Sequence, residues 1–472
     1  MTIIEKKTKI VATLGPVTGS VEVLTKLINA GLNVARLNFS HADFAEHQGR
    51  LDNVKKAMKK TGKTVAILQD LGGPKIRIGN FYQERVMLTP GETFTLTTDD
   101  VVGDEHNASV NYPNLHKELK VGGFIMLDDG KKKLQVTGIE GNKVICKIIL
   151  GGETKGRRGI NLPGAYLSIS SITEKDRKDL EFGIKNKVDF VAFSFVRRGE
   201  DVKELRALLD KAGSKAKIVS KIETQEAVEN LEEIIALSDC CMVARGDLAT
   251  EIGAENVPII QKLIIKKCNL AAKPVITATQ MLESMIKLPI PTRAEVSDVA
   301  NAILDGTDAV MLSEETTLGD YPVESVTMLA TIAKRVEQDY NYKRMYLRIV
   351  NHDGVKDSLS QAVVNAANDA KAKVIVSLTE HGRTSRMFSR FKPKMPIIAF
   401  TPNEVTAQQG ALSWGVYSII LKRSKDFESV LKTVKQTLLK QGLVSKGDTF
   451  VVSGGMPFGK AIDTNMLVVE KA

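Results

Sequence analysis

The sequence predicts an α/β protein whose largest part is a closed barrel of eight parallel strands, with an all-β domain inserted into it and a smaller α/β domain after it. Three observations predict this. Short β-rich runs alternate with longer segments of helical period through most of the chain. One interval, residues 73–164, breaks that rhythm with several short alternating segments and no long helical pattern. A second, shorter βα series begins after Tyr340.

The strand candidates of the first series are 8–14, 33–40, 64–70, 189–196, 216–223, 239–247, 273–280 and 308–314. Amphipathic stretches such as Ser20–Ala30 and Glu226–Ala236 lie between them, and so regular an alternation suits a (β/α)8 (TIM) barrel better than two open sheets. Within the interruption, Glu92–Thr98, Phe124–Asp128, Leu134–Ile139 and Lys143–Ile149 read as strands separated by Gly, Asn and Asp. An insertion after the third strand sits at the barrel mouth, where it can serve as a lid. Beyond the linker at 340–357, Leu359–Ala370 reads as a helix, and Lys373–Leu378, Pro396–Phe400, Val416–Leu421 and Asp448–Val452 read as strands. The expected division is 1–72 and 165–342 for the barrel, 73–164 for the lid and 343–472 for the C-terminal domain.

Composition excludes several classes. A chain of 472 residues with 26% charged and 43% hydrophobic residues is an ordinary multidomain globular protein. No apolar run approaches the roughly 20 residues of a membrane span. The strand-like Thr8–Leu14 follows the N-terminus without an apolar signal region, so a cytoplasmic location is expected. Cys146, Cys240, Cys241 and Cys268 show no metal-binding spacing and read as reduced core residues. The net charge of +10 is spread along the chain, and eight Tyr with one Trp offer no stacking platform, so anionic metabolites rather than nucleic acid are the expected partners.

Catalytic groups on such barrels come from the C-terminal strand ends. Here those ends carry polar residues repeatedly. Arg36, Asn38 and Ser40 share a face by the two-residue period, Asp70 ends the third strand, and Lys221 and Glu223 form another same-face pair. Gly246 and Asp247 follow on strand six, Thr277, Thr279 and Gln280 on strand seven, and Ser313 and Glu315 on strand eight. Each alone reads as a hydrogen-bonded barrel residue; their convergence points to a site. Glu223 and Asp247 offer hard oxygen ligands without His or Cys, which suits Mg²⁺ or Mn²⁺. Lys221 adds a compact cation, while Arg36 and Arg77 add forked donors for phosphate oxygens. These are the parts that phosphoryl transfer requires.

The stretches TKIVATLGP (8–16), ARLNFSH (35–41), GPKIR (73–77), GINLPG (159–164), SKIE (220–223), MVARGDL (242–248), ATQMLESM (278–285) and PTRAEVSDVANA (291–302) resemble the pyruvate kinases, in order and over essentially the whole chain. The resemblance implies a barrel, a lid and a regulatory domain, assembled as a homotetramer, moving the phosphoryl group of phosphoenolpyruvate to ADP to give pyruvate and ATP. It implies Arg36 on the substrate phosphoryl group, Arg77 and Arg158 on nucleotide phosphates, and Lys221 on the transition state. Glu223 and Asp247 would hold the metal, with Asp247, the backbone of Gly246 and the hydroxyl of Thr279 at phosphoenolpyruvate or pyruvate. Thr279 with a water is a route for the proton that the enolate carbon takes up.

Four positions depart from the family pattern. Where the family often has DTKGPEIR, this chain reads Asp70-Leu-Gly-Gly-Pro-Lys75-Ile-Arg77. The common form holds K⁺ with residues matching Asn38, Ser40, Asp70 and a threonine. Leu71 removes that last ligand, and the expectation is that the Lys75 ammonium substitutes for K⁺, since two unit charges ~4 Å apart repel by several kcal/mol. Arg158 stands where many relatives have lysine, Ala249-Thr250 lacks the usual glycine, and Glu314 fills a small-residue position.

In the C-terminal domain, Thr379, Gly382, Arg383, Thr384 and Ser385 lie between a strand and a helix start, a place suited to an anion. The resemblance implies a sugar-phosphate effector there, a monophosphate or fructose 1,6-bisphosphate. Gly454–Ala461 imitates a P-loop but has Ala461 where magnesium would need a hydroxyl, so it reads as a turn. His41 reads as a helix-start residue. Two rival readings stand beside the kinase. A phosphoenolpyruvate- or pyruvate-utilising lyase or mutase would leave Arg77, Arg158 and the lid unexplained, and a non-catalytic sensor would be expected to have lost the metal pair or Lys221.

Overall fold

The computed structural model describes residues 6–349, 355–424, 426–456 and 462–472. Its centre is a closed barrel of eight parallel strands: Lys9–Thr13, Val34–Asn38, Ala66–Asp70, Phe190–Phe193, Lys217–Ile222, Cys240–Ala244, Val275–Ala278 and Ala309–Leu312. Each strand pairs with its neighbours in sequence, and the eighth closes on the first. All eight expected strands are present. Residues alternate between two cores. Val11, Val34, Leu68, Phe190, Val219, Met242, Ile276 and Met311 fill the barrel interior, while Ile10, Leu37, Ile67, Val191, Ile218 and Val310 pack outward under the helices.

The barrel floor carries a repeated device. Asn33, Asp189, Asp239 and Asp308 each stand one residue before an even-numbered strand. Each side chain accepts the backbone N–H of a residue in the strand before it: Ile10 (3.0 Å), Ile67 (2.7 Å), Ile218 (3.0 Å) and Val275 (3.1 Å). Buried donors at the strand starts are thereby satisfied, which a closed barrel requires.

Two sequence expectations shift in detail. Helix Val21–Ala30 forms as expected, with Ser20 as its N-cap. The stretch 226–236 divides at Asn230 into Gln225–Glu229 and Leu231–Leu237, and the Asn230 side-chain amide donates to the Arg197 carbonyl (3.0 Å). Strand six stops at Ala244, and Arg245–Ile252 is helical.

Between the third and fourth strands lies the all-β insertion, a six-stranded sheet and a two-stranded one around their own apolar core. The C-terminal domain is a five-stranded sheet with spatial order Val416–Ile420, Ile397–Thr401, Ile375–Leu378, Thr449–Gly454 and Met466–Lys471. The last of these is antiparallel to its neighbour and had no counterpart in the sequence reading. Leu412 of this domain completes the interior core at the barrel floor. The P-loop-like stretch falls largely outside the described residues, as does part of the 340–357 linker. No helix among the described residues is long and apolar enough to cross a membrane, and all four cysteines are buried and unpaired.

Candidate active site

Strands two, three and five bring Arg36, Asp70, Lys221 and Glu223 together at the C-terminal rim. Arg36 Nε lies 2.7 Å from Asp70 Oδ2, and its Nη1 donates to Thr13 Oγ1 at 2.7 Å. Lys221 Nζ stands 2.9 Å from Glu223 Oε1, 3.4 Å from Asp70 Oδ1, and donates to Ser194 Oγ at 2.7 Å. Ser194 donates onward to the Leu71 carbonyl (2.7 Å), and the Phe195 N–H donates to Glu223 Oε2 (2.8 Å). Every charge in this buried group is paired and hydrogen-bonded, as burial demands.

The electrostatics follow. Burial works against the Lys221 ammonium, but Asp70 and Glu223 outweigh it and hold its pKa above the ordinary value. Burial likewise opposes the Asp70 carboxylate, yet Lys221 and Arg36 keep it below the usual range. Burial, with Asp247 adding to it, pushes the Glu223 carboxyl up despite Lys221. The Asp247 carboxylate adds to the cost of ionising Glu223, a cost that a divalent cation would relieve, so this pair of hard oxygen donors fits a hard metal ion.

Asp247 lies in the first turn of helix Arg245–Ile252 rather than on the strand, where the helix dipole favours a carboxylate. Thr279 also lies off its strand, which ends at Ala278; it and Gln280 adopt left-handed backbone (φ 72° and 54°). A Cβ built on Gly246 would fall 3.0 Å from Thr279 Cγ2, so a larger residue there would crowd the threonine. Ser313 and Glu315 likewise fall just past strand eight, at the start of the short helix Glu314–Thr317, and Glu314 is exposed there.

Lys75 is not placed on the Asn38–Ser40–Asp70 cluster. Its Nζ lies 3.5 Å from Asp129 and 3.5 Å from Asp247, between lid and helix, and Asp70 draws its cations from Arg36 and Lys221 instead. Within the cluster, Asn38 Oδ1 accepts the Ser40 N–H (3.2 Å), while Leu71 is buried and its N–H donates to the Ala192 carbonyl (3.0 Å). Arg77 is exposed at the lid base, with Nη1 on the Arg157 carbonyl (3.0 Å), and Arg158 Nε faces Asp128 at 3.4 Å. Thr250 packs beneath Gly130 in the lid hairpin, which gives the side chain at this departure from the family a contact of its own. His41 acts through its carbonyl, 3.0 Å from His47 Nε2, and Asp43 is the helix cap.

Sequence reasoning missed Thr13, Ser194, the Phe195 amide and Arg245. Thr13 and Ser194 share the inward period of strands one and four and were open to notice; the Phe195 amide and Arg245 act through backbone groups that a linear reading does not reveal.

In the C-terminal domain a cavity of about 260 Å³ is lined by Thr379, Arg383, Thr384, Lys422, Arg423 and Thr464 among others. Gly382 and Ser385 do not line it. Ser385 Oγ instead donates to Ser377 Oγ (3.0 Å) inside the domain. Lys422 and Arg423 come from beyond strand Val416–Ile420, which is why the loop motif alone did not reveal them.

The barrel rim and its charges define a class: an enzyme that handles a multiply charged phosphate substrate at the C-terminal end of a (β/α)8 barrel. Residues 5–326 match the family model "Pyruvate kinase, barrel domain", and residues 357–470 match "Pyruvate kinase, alpha/beta domain". Among curated relatives, pyruvate kinase of Clostridium acetobutylicum is 44% identical over 98% of this chain and 99% of its own. That of Geobacillus stearothermophilus is 44% identical over 99% of this chain and 80% of its own. A crystal structure of a pyruvate kinase from Cryptosporidium parvum superposes with a TM-score of 0.95 at 36% identity, covering 99% of this chain and 96% of that one. The chain belongs to the pyruvate kinase family, and it is a transferase of glycolysis. The lyase or mutase reading is not favoured.

Proposed function

We propose that the chain carries the phosphoryl group of phosphoenolpyruvate to ADP with Arg36, Lys221, Glu223, Asp247 and Thr279 as its working groups. The observation that carries the assignment of roles is the Lys221–Glu223–Asp70–Arg36 cluster, a fully paired set of charges at the catalytic rim. Arg36 is fixed at both ends of its guanidinium by Asp70 and Thr13, so its remaining donors are oriented for a phosphoryl oxygen. The β-phosphate oxygen of ADP attacks phosphorus, the bond to the enol oxygen breaks, and negative charge develops on that oxygen. Lys221, held charged by its neighbours, meets this charge with little reorganisation. A divalent ion held by Glu223 and Asp247 would supply further neutralisation of the phosphoryl and enolate oxygens. The enolate carbon then takes a proton, with the Thr279 hydroxyl and a water as the route.

On this reading residues 73–164 form the lid and bring Arg77 and Arg158 to the nucleotide. The 260 Å³ cavity of residues 343–472 takes a sugar phosphate, and the enzyme is a cytoplasmic homotetramer. Lys75 places an ammonium beside Asp247 rather than on the Asn38–Ser40–Asp70 cluster, where Arg36 and Lys221 already pair Asp70, and these three basic groups around the rim favour catalysis without K⁺. The experiment is a coupled assay of pyruvate release. Release should require both ADP and Mg²⁺ or Mn²⁺, and should differ by less than about twofold between K⁺ and a bulky quaternary cation. ADP-independent release would reject the kinase mechanism, and a many-fold rise with K⁺ would reject the role of Lys75. A substrate saturation curve that no sugar phosphate moves at millimolar concentration would reject the effector assignment.

A further inference from the structure

Thr279 is a β-branched residue in left-handed backbone, followed by Gln280 in the same region, and neither is glycine. Such a turn is strained and holds its shape only where its surroundings over-determine it. One guanidinium holds its carbonyls. Arg245 Nε lies 3.0 Å from the Ala278 carbonyl and 3.1 Å from that of Thr279, while Nη2 lies 2.6 Å from the Thr279 carbonyl and 3.4 Å from that of Gln280. The carbonyls of three successive residues are thus gathered on a single side chain. The fork is itself anchored: Nη1 stands 2.7 Å from Asp298 Oδ2 and 2.8 Å from its Oδ1, on helix Arg293–Asp305.

Arg245 also directly precedes Gly246 and Asp247, on the same turn of helix. It therefore joins the segment bearing the metal carboxylate to the segment bearing the threonine, at the point where a Cβ on Gly246 would fall 3.0 Å from Thr279 Cγ2. A lysine could not span this arrangement, because an ammonium is a single point of donors whereas these carbonyls and Asp298 occupy both edges of a plane.

We propose that Arg245 is a positioning residue for Thr279: it touches no substrate, but fixes the left-handed turn so that the Thr279 hydroxyl is presented beside Gly246 and Asp247, with Asp298 as its own anchor. The proposal rests on Thr279 acting at the substrate, as argued above.

The test is a double-mutant cycle on the full-length enzyme with Arg245→Met and Thr279→Val, read as kcat and as KM for ADP. Arg245→Met should lower kcat about 10²-fold, the scale of a small misplacement of a catalytic group, and leave KM for ADP within about twofold. The double variant should be no slower than Thr279→Val alone, because a residue acting only through Thr279 has nothing left to position. Arg245→Lys should recover less than a tenth of the lost rate. Asp298→Asn should lower kcat about fivefold, a loss that also vanishes in the Thr279→Val background. Should Arg245→Met fail to fold, Arg245→Lys and the half-exposed Asp298→Asn carry the cycle. Losses that multiply in the double variant overturn the proposal while leaving Thr279 catalytic. Undiminished kcat in Thr279→Val removes the premise, and the proposal with it.

Discussion

At the scale of single residues, Lys221 is held by two acids that themselves depend on it. Asp70 and Glu223 are almost wholly buried, and replacing Lys221 by Met would leave Asp70 with Arg36 as its one cation and Glu223 with the Phe195 N–H. Two consequences are expected. The loss of a cation that meets developing charge should lower kcat by about 10²–10³. The uncompensated carboxylates should cost on the order of 3–5 kcal/mol of stability, read as a fall in Tm in the absence of ligands. A Lys221→Met enzyme that is inactive but melts like the parent would show that the acids are not relying on the lysine. The same residues mark what a sequence can reveal. Arg36, Lys221 and Glu223 are legible because strand period alone puts them on the inward face at a strand end. Asp247 and Thr279 are legible as site residues but not as geometry, since both leave their strands before reaching the site. Arg245 is invisible to that reasoning: it matters through the backbone carbonyls it holds, and these belong to a segment more than thirty residues away in sequence.

At the scale of elements, strand alternation read from hydrophobic period recovers all eight barrel strands, because strands buried on both faces leave unbroken apolar runs between polar helices. It does not reveal the Asn33, Asp189, Asp239 and Asp308 device, since a polar residue before a strand looks like ordinary loop composition. The three aspartates differ in their partners. Asp239 meets Lys217 and Arg206, and Asp308 meets Lys392, but Asp189 has no cation among the described residues. Burial pushes its carboxyl up to about 7, partly offset by the Ile67 N–H. An unfolded chain would titrate it near 3.9. Between about pH 4 and 7 the folded protein therefore binds a proton that the unfolded chain has released, so its contribution to stability declines as pH rises through that window and is fully lost above it. Asp189→Asn keeps an oxygen for Ile67 and stays neutral throughout. Denaturant unfolding at pH 5 and pH 8 should show the variant losing less stability on the way up, by a difference of order a few kcal/mol. Identical slopes for parent and variant would mean that Asp189 ionises freely.

At the scale of the whole molecule, the two ends of the barrel are joined to their neighbours in opposite ways. At the catalytic end the inserted domain meets the barrel through polar contacts such as Lys75 with Asp247 (3.5 Å) and Asn161 with Glu251 (3.4 Å). Such contacts break cheaply in water, which suits the lid role proposed for this domain. At the floor the C-terminal domain is built into the barrel. Leu412 fills the interior core, Lys9 Nζ donates to the Val416 carbonyl (2.6 Å) and lies 3.9 Å from the centre of the Tyr417 ring, and Asp308 receives both Lys392 (2.8 Å) and the Trp414 N–H (3.0 Å). Lys392 is fully buried, so its charge exists there only by virtue of Asp308 across the domain boundary. Barrel and C-terminal domain should therefore melt as one cooperative unit, with the lid separable from both. Lys392→Met preserves the volume and strands Asp308 with amide donors alone. It should lower the shared transition by several degrees in calorimetry, without splitting it and without changing protease cleavage in the lid. If the variant instead melted its C-terminal domain early while the barrel transition stayed in place, the floor would be a docking surface between two independent domains. A change of state in the 260 Å³ cavity would then have no rigid connection through which to reach the catalytic rim.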